Sequence, residues 1–223
     1  MTARKLPTIS SQSGFSLVEL LIALVIATLA MTAILIANQG QSQSYNTQLQ
    51  IASARQKARS AIAMLRADLL MANQFNTAGQ ALISFVRNDG VNVRYQWSIN
   101  DANGNGMAPE LLRQQNTDAP QVFAEGIDGI EFLYNFANAP PVNQIAAGNP
   151  QLNDIVSVTI SLVSRADGRD PHFRDSDTYR TASGQPWEQT GITDGANINN
   201  APLNDNFHRR FWRETVTCRN IVQ

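Results

Sequence analysis

Between Gly14 and Ala37 the chain reads GFSLVELLIALVIATLAMTAILIA. From Phe15 to Ala37 it holds neither proline nor glycine, and its one charged side chain is Glu19. As a helix these 23 residues would extend roughly 35 Å, enough to cross a hydrocarbon core of about 30 Å. A carboxylate within such a span costs about 2.5–3.5 kcal/mol on insertion scales, so it needs a partner. No Lys or Arg lies within the run. If the chain were cut after Gly14, the new amine on Phe15 would lie four residues from Glu19, on the same helix face. Within one chain that amine sits at the membrane edge and serves poorly. Between chains shifted by about one turn, the amine of one meets the carboxylate of its neighbour. An ordinary secretory signal has a shorter apolar region of about 7–15 residues. A plain signal anchor would account for the length but leaves Glu19 unexplained.

The segment Gly14-Phe15-Ser16-Leu17-Val18-Glu19-Leu20-Leu21, behind a short leader carrying Arg4 and Lys5 and no acid, resembles the class III signal of type IV prepilins and type II secretion pseudopilins. The resemblance implies cleavage between Gly14 and Phe15 by a membrane peptidase, then N-methylation of Phe15. It also implies an assembly salt bridge from Glu19, the fifth mature residue, to an adjoining subunit. Residues 1–14 would be the leader and 15–37 the transmembrane and assembly helix. The positive leader keeps the N-terminus in the cytoplasm and sends the remainder across the inner membrane into the periplasm.

Beyond the helix roughly 145 residues remain, enough for one domain with its own core. The net charge is -1 and the pI about 6.1, so bulk electrostatics do not ask for nucleic acid. Cys218 is the one cysteine, which excludes an intrachain disulfide and is expected to be buried.

After a polar patch at residues 38–44 with a soft point at Gly40, apolar spacing of three and four resumes at Ile51, Ala54, Ala58, Ile62, Leu65, Leu69 and Ala72. This predicts one helix from about Ser16 to Asn73, with 38–77 as its amphipathic continuation. Within the resembling family, major pilins usually carry proline at mature position 22, where Ile36 stands. From Ala78 the period becomes two. Strands are expected at 81–87 and 91–99 around an Asn88-Asp89-Gly90 turn, then near 127–136, 154–164 and 207–220. About forty residues rich in Gly, Asn, Asp and Pro, roughly 165–206, form a long polar loop of the kind that is functional or disordered. The fold expected is α+β, pilin-like: one long helix packed on an antiparallel sheet domain covering 78–223.

The stretch Phe123 to Tyr134 is similar to a strand of PilW-type minor pilins and of J-type minor pseudopilins, and Asp154 to Leu162 resembles the next strand in both. The ending, His208-Arg209-Arg210-Phe211 through Thr215-Val216-Thr217, looks most like PilW-type sequences.

Among candidate chemical sites, Asp101, Asn103 and Asn105 with Gly106 reproduce the first half of an EF-hand loop. Leu112 stands where the bidentate glutamate belongs, and a plain Asx-rich turn is the favoured reading over calcium. Asp167, Asp170, Asp175 and Asp177 are read as a solvated acidic loop. Arg209, Arg210, Arg213 and Arg219 split across two strand faces, which favours ion pairs with acidic loops or a partner over nucleic acid. His172 and His208 are the only histidines, no nucleophile motif or metal-ligand spacing is present, and no enzyme or resident cofactor is expected.

The sequence therefore points to a processed minor subunit near the tip of a type IV pilus, priming assembly. Its expected partners are other major and minor pilins, prepilin peptidase, the inner-membrane assembly platform and, before assembly, membrane lipid. A J-type minor pseudopilin of type II secretion is one alternative. Another is a membrane-anchored module that binds DNA, a surface or calcium through the polar loop.

Overall fold

A computed structural model of the chain describes residues 14–185, 187 and 204–218. The basic leader residues Arg4 and Lys5, most of the second half of the polar loop, and Arg219 and Asn220 lie outside the described residues. The chain divides into two compact units, Met1–Asn46 and Thr47–Gln223.

Helix α1 runs Leu17–Leu70. Ser16 caps it: its Oγ accepts from the Val18 N–H at 3.2 Å, and its carbonyl accepts from the Leu20 N–H at 3.2 Å. The helix passes through Gly40 unbroken. In the first unit its side chains from Leu17 to Ala37 are exposed. In the second unit the expected stripe is buried, through Ala54, Ala58, Ala61, Ile62, Leu65 and Leu69. Arg55 and Arg59 lie off it, on the exposed side.

The helix stops before the expected Asn73. Residues Ala72–Ala78 are a strand, β1, paired antiparallel with β2, Leu82–Arg87. Two register shifts, between Ala72/Gln74 and Phe75/Thr77, place the buried residues of β1 at Ala72, Phe75 and Ala78. Each bulge inserts one residue into the alternation. A strand so bulged shows a spacing of three, which read by pattern alone continues the helix.

The expected hairpin is present as β2 and β3, Asn92–Ser98, joined through Gly90 at φ 81°. Val93, Tyr95 and Trp97 point into the core from β3. Next come two strands not expected from sequence, β4, Glu110–Gln115, and β5, Gln121–Glu125. They complete a five-stranded antiparallel sheet in the order β1-β2-β3-β4-β5. The chain then crosses at Gly126, φ 63°, into a second antiparallel sheet of β6 (Ile127–Phe136), β7 (Ile155–Arg169) and β8 (Phe207–Thr217). A Cβ at Gly126 would stand 3.1 Å from the Arg165 carbonyl, so both the left-handed backbone and the close approach call for glycine. A 3₁₀ turn, Pro150–Asp154, leads into β7.

One core joins helix and sheets. Ala58, Ile62, Leu65 and Leu69 of α1 meet Phe75, Phe85 and Tyr95 of the first sheet and Ile130, Phe132, Ile160 and Leu162 of the second. Cys218 is fully buried in it, and burial pushes its thiol up to about 12. The result is an α+β fold, one long helix packed on antiparallel sheets.

The polar loop expected over 165–206 begins later than its composition implies, because β7 continues to Arg169. Beyond Arg169 the chain is pinned at several points. The Asp175 N–H donates to the Asp205 carbonyl and the Asn204 N–H to the Asp175 carbonyl, and Tyr179 and Trp187 pack on Val163 of β7.

Candidate functional site

The N-terminal segment presents its chemistry on a bare helix end. Phe15 is 78% exposed, and Glu19 lies in the first turn of α1, where the positive end of the helix dipole favours a carboxylate. Glu19 makes no ion pair among the described residues. The helix is long and apolar enough to cross a membrane, and none of its most apolar stretch is buried by the rest of the chain. Gly14, Phe15 and Glu19 thus stand in one exposed turn and its approach.

The second unit carries three polar networks that fix its parts. In the first, Asp68, on the buried face of α1, accepts from Tyr95 Oη at 2.6 Å, from Arg113 Nη2 at 2.9 Å and from Arg87 Nη1 at 3.0 Å. It ties the helix to β2, β3 and β4. Burial, and then the carboxylate beside it, push the Tyr95 hydroxyl far above its ordinary range.

In the second network Arg209 of β8 is fully enclosed. Its guanidinium donates to Asp128 at 2.5 Å, to Asp175 at 2.9 Å and to Asp205 at 2.6 Å. Burial alone would lower the Arg209 pKa, and the three carboxylates raise it instead. Burial pushes the Asp128 carboxyl up against the pull of Arg209 and Arg165. Burial works the same way on Asp205, but there Arg209 prevails and holds it below the usual carboxylate range.

The third network joins α1 to the start of the loop. Asp170 accepts from Thr47 Oγ1 at 2.9 Å and pairs with His208 Nε2 at 3.1 Å, while Phe173 stacks on the His208 ring at 3.8 Å. The His208 ring, first among the causes, holds the Asp170 carboxyl low. Asp167 pairs with Lys57 and Ser53 of α1; burial would raise its carboxyl, and these partners bring it down.

These contacts correct the reading of Asp170 and Asp175 as part of a solvated cluster, whereas Asp167 is paired yet stays exposed, as expected. Asp175 is 1% exposed, and each of the three has its own partner on another element. Among the described residues no group of three His, Cys, Asp or Glu side chains stands close enough to hold a metal. Arg209 forms the ion pairs that its neighbouring acids implied. Arg213 donates instead to the Arg180 carbonyl at 2.8 Å and to Ser161 at 3.3 Å. His172 lies in the loop, and His208 is committed to Asp170. The central role of Asp68 is not evident from the sequence. Its one available signal is a carboxylate one residue before Leu69 of the stripe, on the edge of the apolar face.

The Asp101–Gly106 segment is a turn. Asp101 Oδ1 accepts from the Gly104 and Asn105 N–H groups at 2.7 and 3.1 Å, and Oδ2 accepts from Gly106 at 2.5 Å. The Gly106 contact, with the others, lowers the Asp101 carboxyl. Leu112 lies in β4 and supplies no oxygen side chain.

Residues 9–35 match the family described as the prokaryotic N-terminal methylation motif. Among solved structures, the chain is similar to a type IV-like pilin from Thermus thermophilus at 13% identity and a TM-score of 0.41. That alignment covers 76% of this chain and 97% of the other. No curated protein sequence matches significantly. The matched segment takes in the exposed apolar start of α1 and none of the sheet strands. More particularly, the chain carries the prokaryotic N-terminal methylation motif over residues 9–35.

Proposed function

We propose that the chain is a minor pilin-like subunit of a type IV pilus, cleaved between Gly14 and Phe15, methylated on Phe15, and incorporated near the tip to prime assembly. The observation that carries the reading is Glu19, the one charged side chain of the exposed apolar run 15–37, a single turn from the residue that cleavage would free. A carboxylate moved from water into lipid or a filament core costs several kcal/mol unless a cation meets it. The amine of an adjoining subunit supplies that cation at a depth its own amine does not reach. Its partners in this reading are major and minor pilins, the prepilin peptidase and the inner-membrane assembly platform. Before assembly the chain is a single-pass protein whose second unit faces the periplasm.

A second reading keeps the same mechanism and changes the machine. The segments Phe123–Tyr134 and Asp154–Leu162 resemble J-type minor pseudopilins as well as PilW-type pilins; the first runs from the end of β5 across Gly126 into β6 and the second leads into β7. Genomic neighbours separate the two, pilus genes in one case and a secretion operon in the other.

Mass spectrometry of the protein from its host tests the shared mechanism. The expected N-terminal peptide begins with a methylated Phe15. An intact N-terminus at Met1 would overturn it.

A further inference from the structure

The turn at Asp101–Gly106 lies over a pair of carboxylates whose placement the fold does not otherwise explain. Glu110 of β4 and Glu125 of β5 are direct cross-strand partners, so their side chains share one sheet face. Like charges in that position repel. Among the described residues neither makes an ion pair, and neither does Asp101. Glu110 is fully buried. One of its oxygens, Oε2, accepts from the Ala102 N–H at 2.9 Å, so the carboxylate faces the turn. The other, Oε1, is buried with no hydrogen-bond partner. Glu125 Oε1 receives the side-chain amides of Asn103 and Asn105 at 2.9 and 2.6 Å. Among the other described buried acids, Asp68 is matched by two arginines and Asp128 and Asp175 by Arg209. Glu131, without an ion pair, has both oxygens hydrogen-bonded by the Ala182 and Ser183 N–H groups and Ser183 Oγ, which Glu110 does not.

A buried carboxylate with a free oxygen, opposed by a second carboxylate and lacking a cationic side chain, is missing a positive charge. We propose that Glu110 and Glu125, under the turn carrying Asn103 and Asn105, bind a calcium-class divalent cation. The donors are all oxygens: two carboxylates, and side-chain amides that present oxygen when rotated about the terminal bond. A two-carboxylate set completed by amides and water is looser than an EF-hand. It suits calcium's flexible coordination and an affinity on the order of 0.1–1 mM, the range of extracellular modules. This differs from a half-complete EF-hand, because the anionic ligands come from the adjoining strands rather than from the loop's twelfth position.

The test uses the full chain in detergent micelles. Addition of about 10 mM calcium after chelation should raise the melting temperature by about 3 °C, as binding near the millimolar range would for a domain of this size. Glu110→Gln should abolish the rise, and Asp154→Asn, at a remote site, should keep it. Because Glu110→Gln could disturb folding, terbium provides an independent readout on the unaltered chain. Trp97 lies on the strand beside β4, so tryptophan-sensitised terbium luminescence should appear and be competed away by calcium. A melting temperature indifferent to calcium, together with no calcium-competed terbium signal, would overturn the proposal.

Discussion

At the scale of single residues, burial decides which ion pairs matter. Asp68 is 3% exposed and serves three donors at once, whereas Lys57 and Asp167 keep side-chain exposures of 20% and 45%. Removing one partner of an enclosed network leaves the others uncompensated, at a cost of about 3–5 kcal/mol. A solvated pair contributes about 0–1 kcal/mol. Asp68→Ala should therefore lower the unfolding free energy by about 3–5 kcal/mol and Asp167→Ala by less than about 1 kcal/mol, measured by denaturant titration of the full chain in micelles. Equal effects would show that the Tyr95, Arg87 and Arg113 contacts do not hold the helix to the sheet. From sequence, Arg209 was legible as an ion-pairing residue because aspartates crowd the preceding loop. Asp68 was not, since its partners come from 19, 27 and 45 residues away along the chain.

At the scale of elements, what was legible came from unbroken periodicity. The stripe on α1, the β2–β3 hairpin and the β6 and β7 strands all have regular spacing over several residues. The misreadings came where that spacing is altered or weak. Bulges in β1 convert alternation into a three-residue spacing, and β4 and β5 bury few side chains, leaving polar residues that resemble loop. The motif at the start of α1 was legible because it is local: Gly14, Phe15 and Glu19 fall within six residues of the matched segment. For Glu19 two roles compete at this scale. As a helix N-terminal acid it would contribute about 0.3–1 kcal/mol through the dipole. As a partner for another subunit's amine, its loss would weaken association by at least tenfold for each 1.4 kcal/mol forfeited. Glu19→Ala should leave the chain in the membrane fraction, with insertion eased by about 2.5–3.5 kcal/mol, while its amount in sheared filaments falls about tenfold or more. Unchanged filament content, read by immunoblot, would reduce Glu19 to a dipole residue.

At the scale of the whole molecule, the second unit is closed by charge as much as by its core. Three carboxylates, on Asp167, Asp170 and Asp205, are held below their ordinary values, and their partners lie on α1 and β8. A group whose carboxyl is lowered on folding stabilises the fold at pH above its unfolded value, about 4, and loses that contribution as pH falls through the lower folded value. Asp128 has the opposite sign: its carboxyl is raised, so its burial costs stability at neutral pH and that cost is relieved on acidification. With Asp101, lowered by the backbone N–H groups of its turn, four groups stand against one, and with Arg209 charged throughout they give a net loss on the acid side. Unfolding free energy should be level between about pH 5 and 8 and fall steadily below about pH 4. Asp170→Asn should flatten part of that fall, because the lowered Asp170 carboxyl is removed while Thr47 can still donate to an amide oxygen. Equilibrium denaturation across this pH range checks both statements. A stability that climbed on acidification below pH 4 would mean that the cost of enclosing Asp128 outweighs the ion pairs joining loop, helix and sheet.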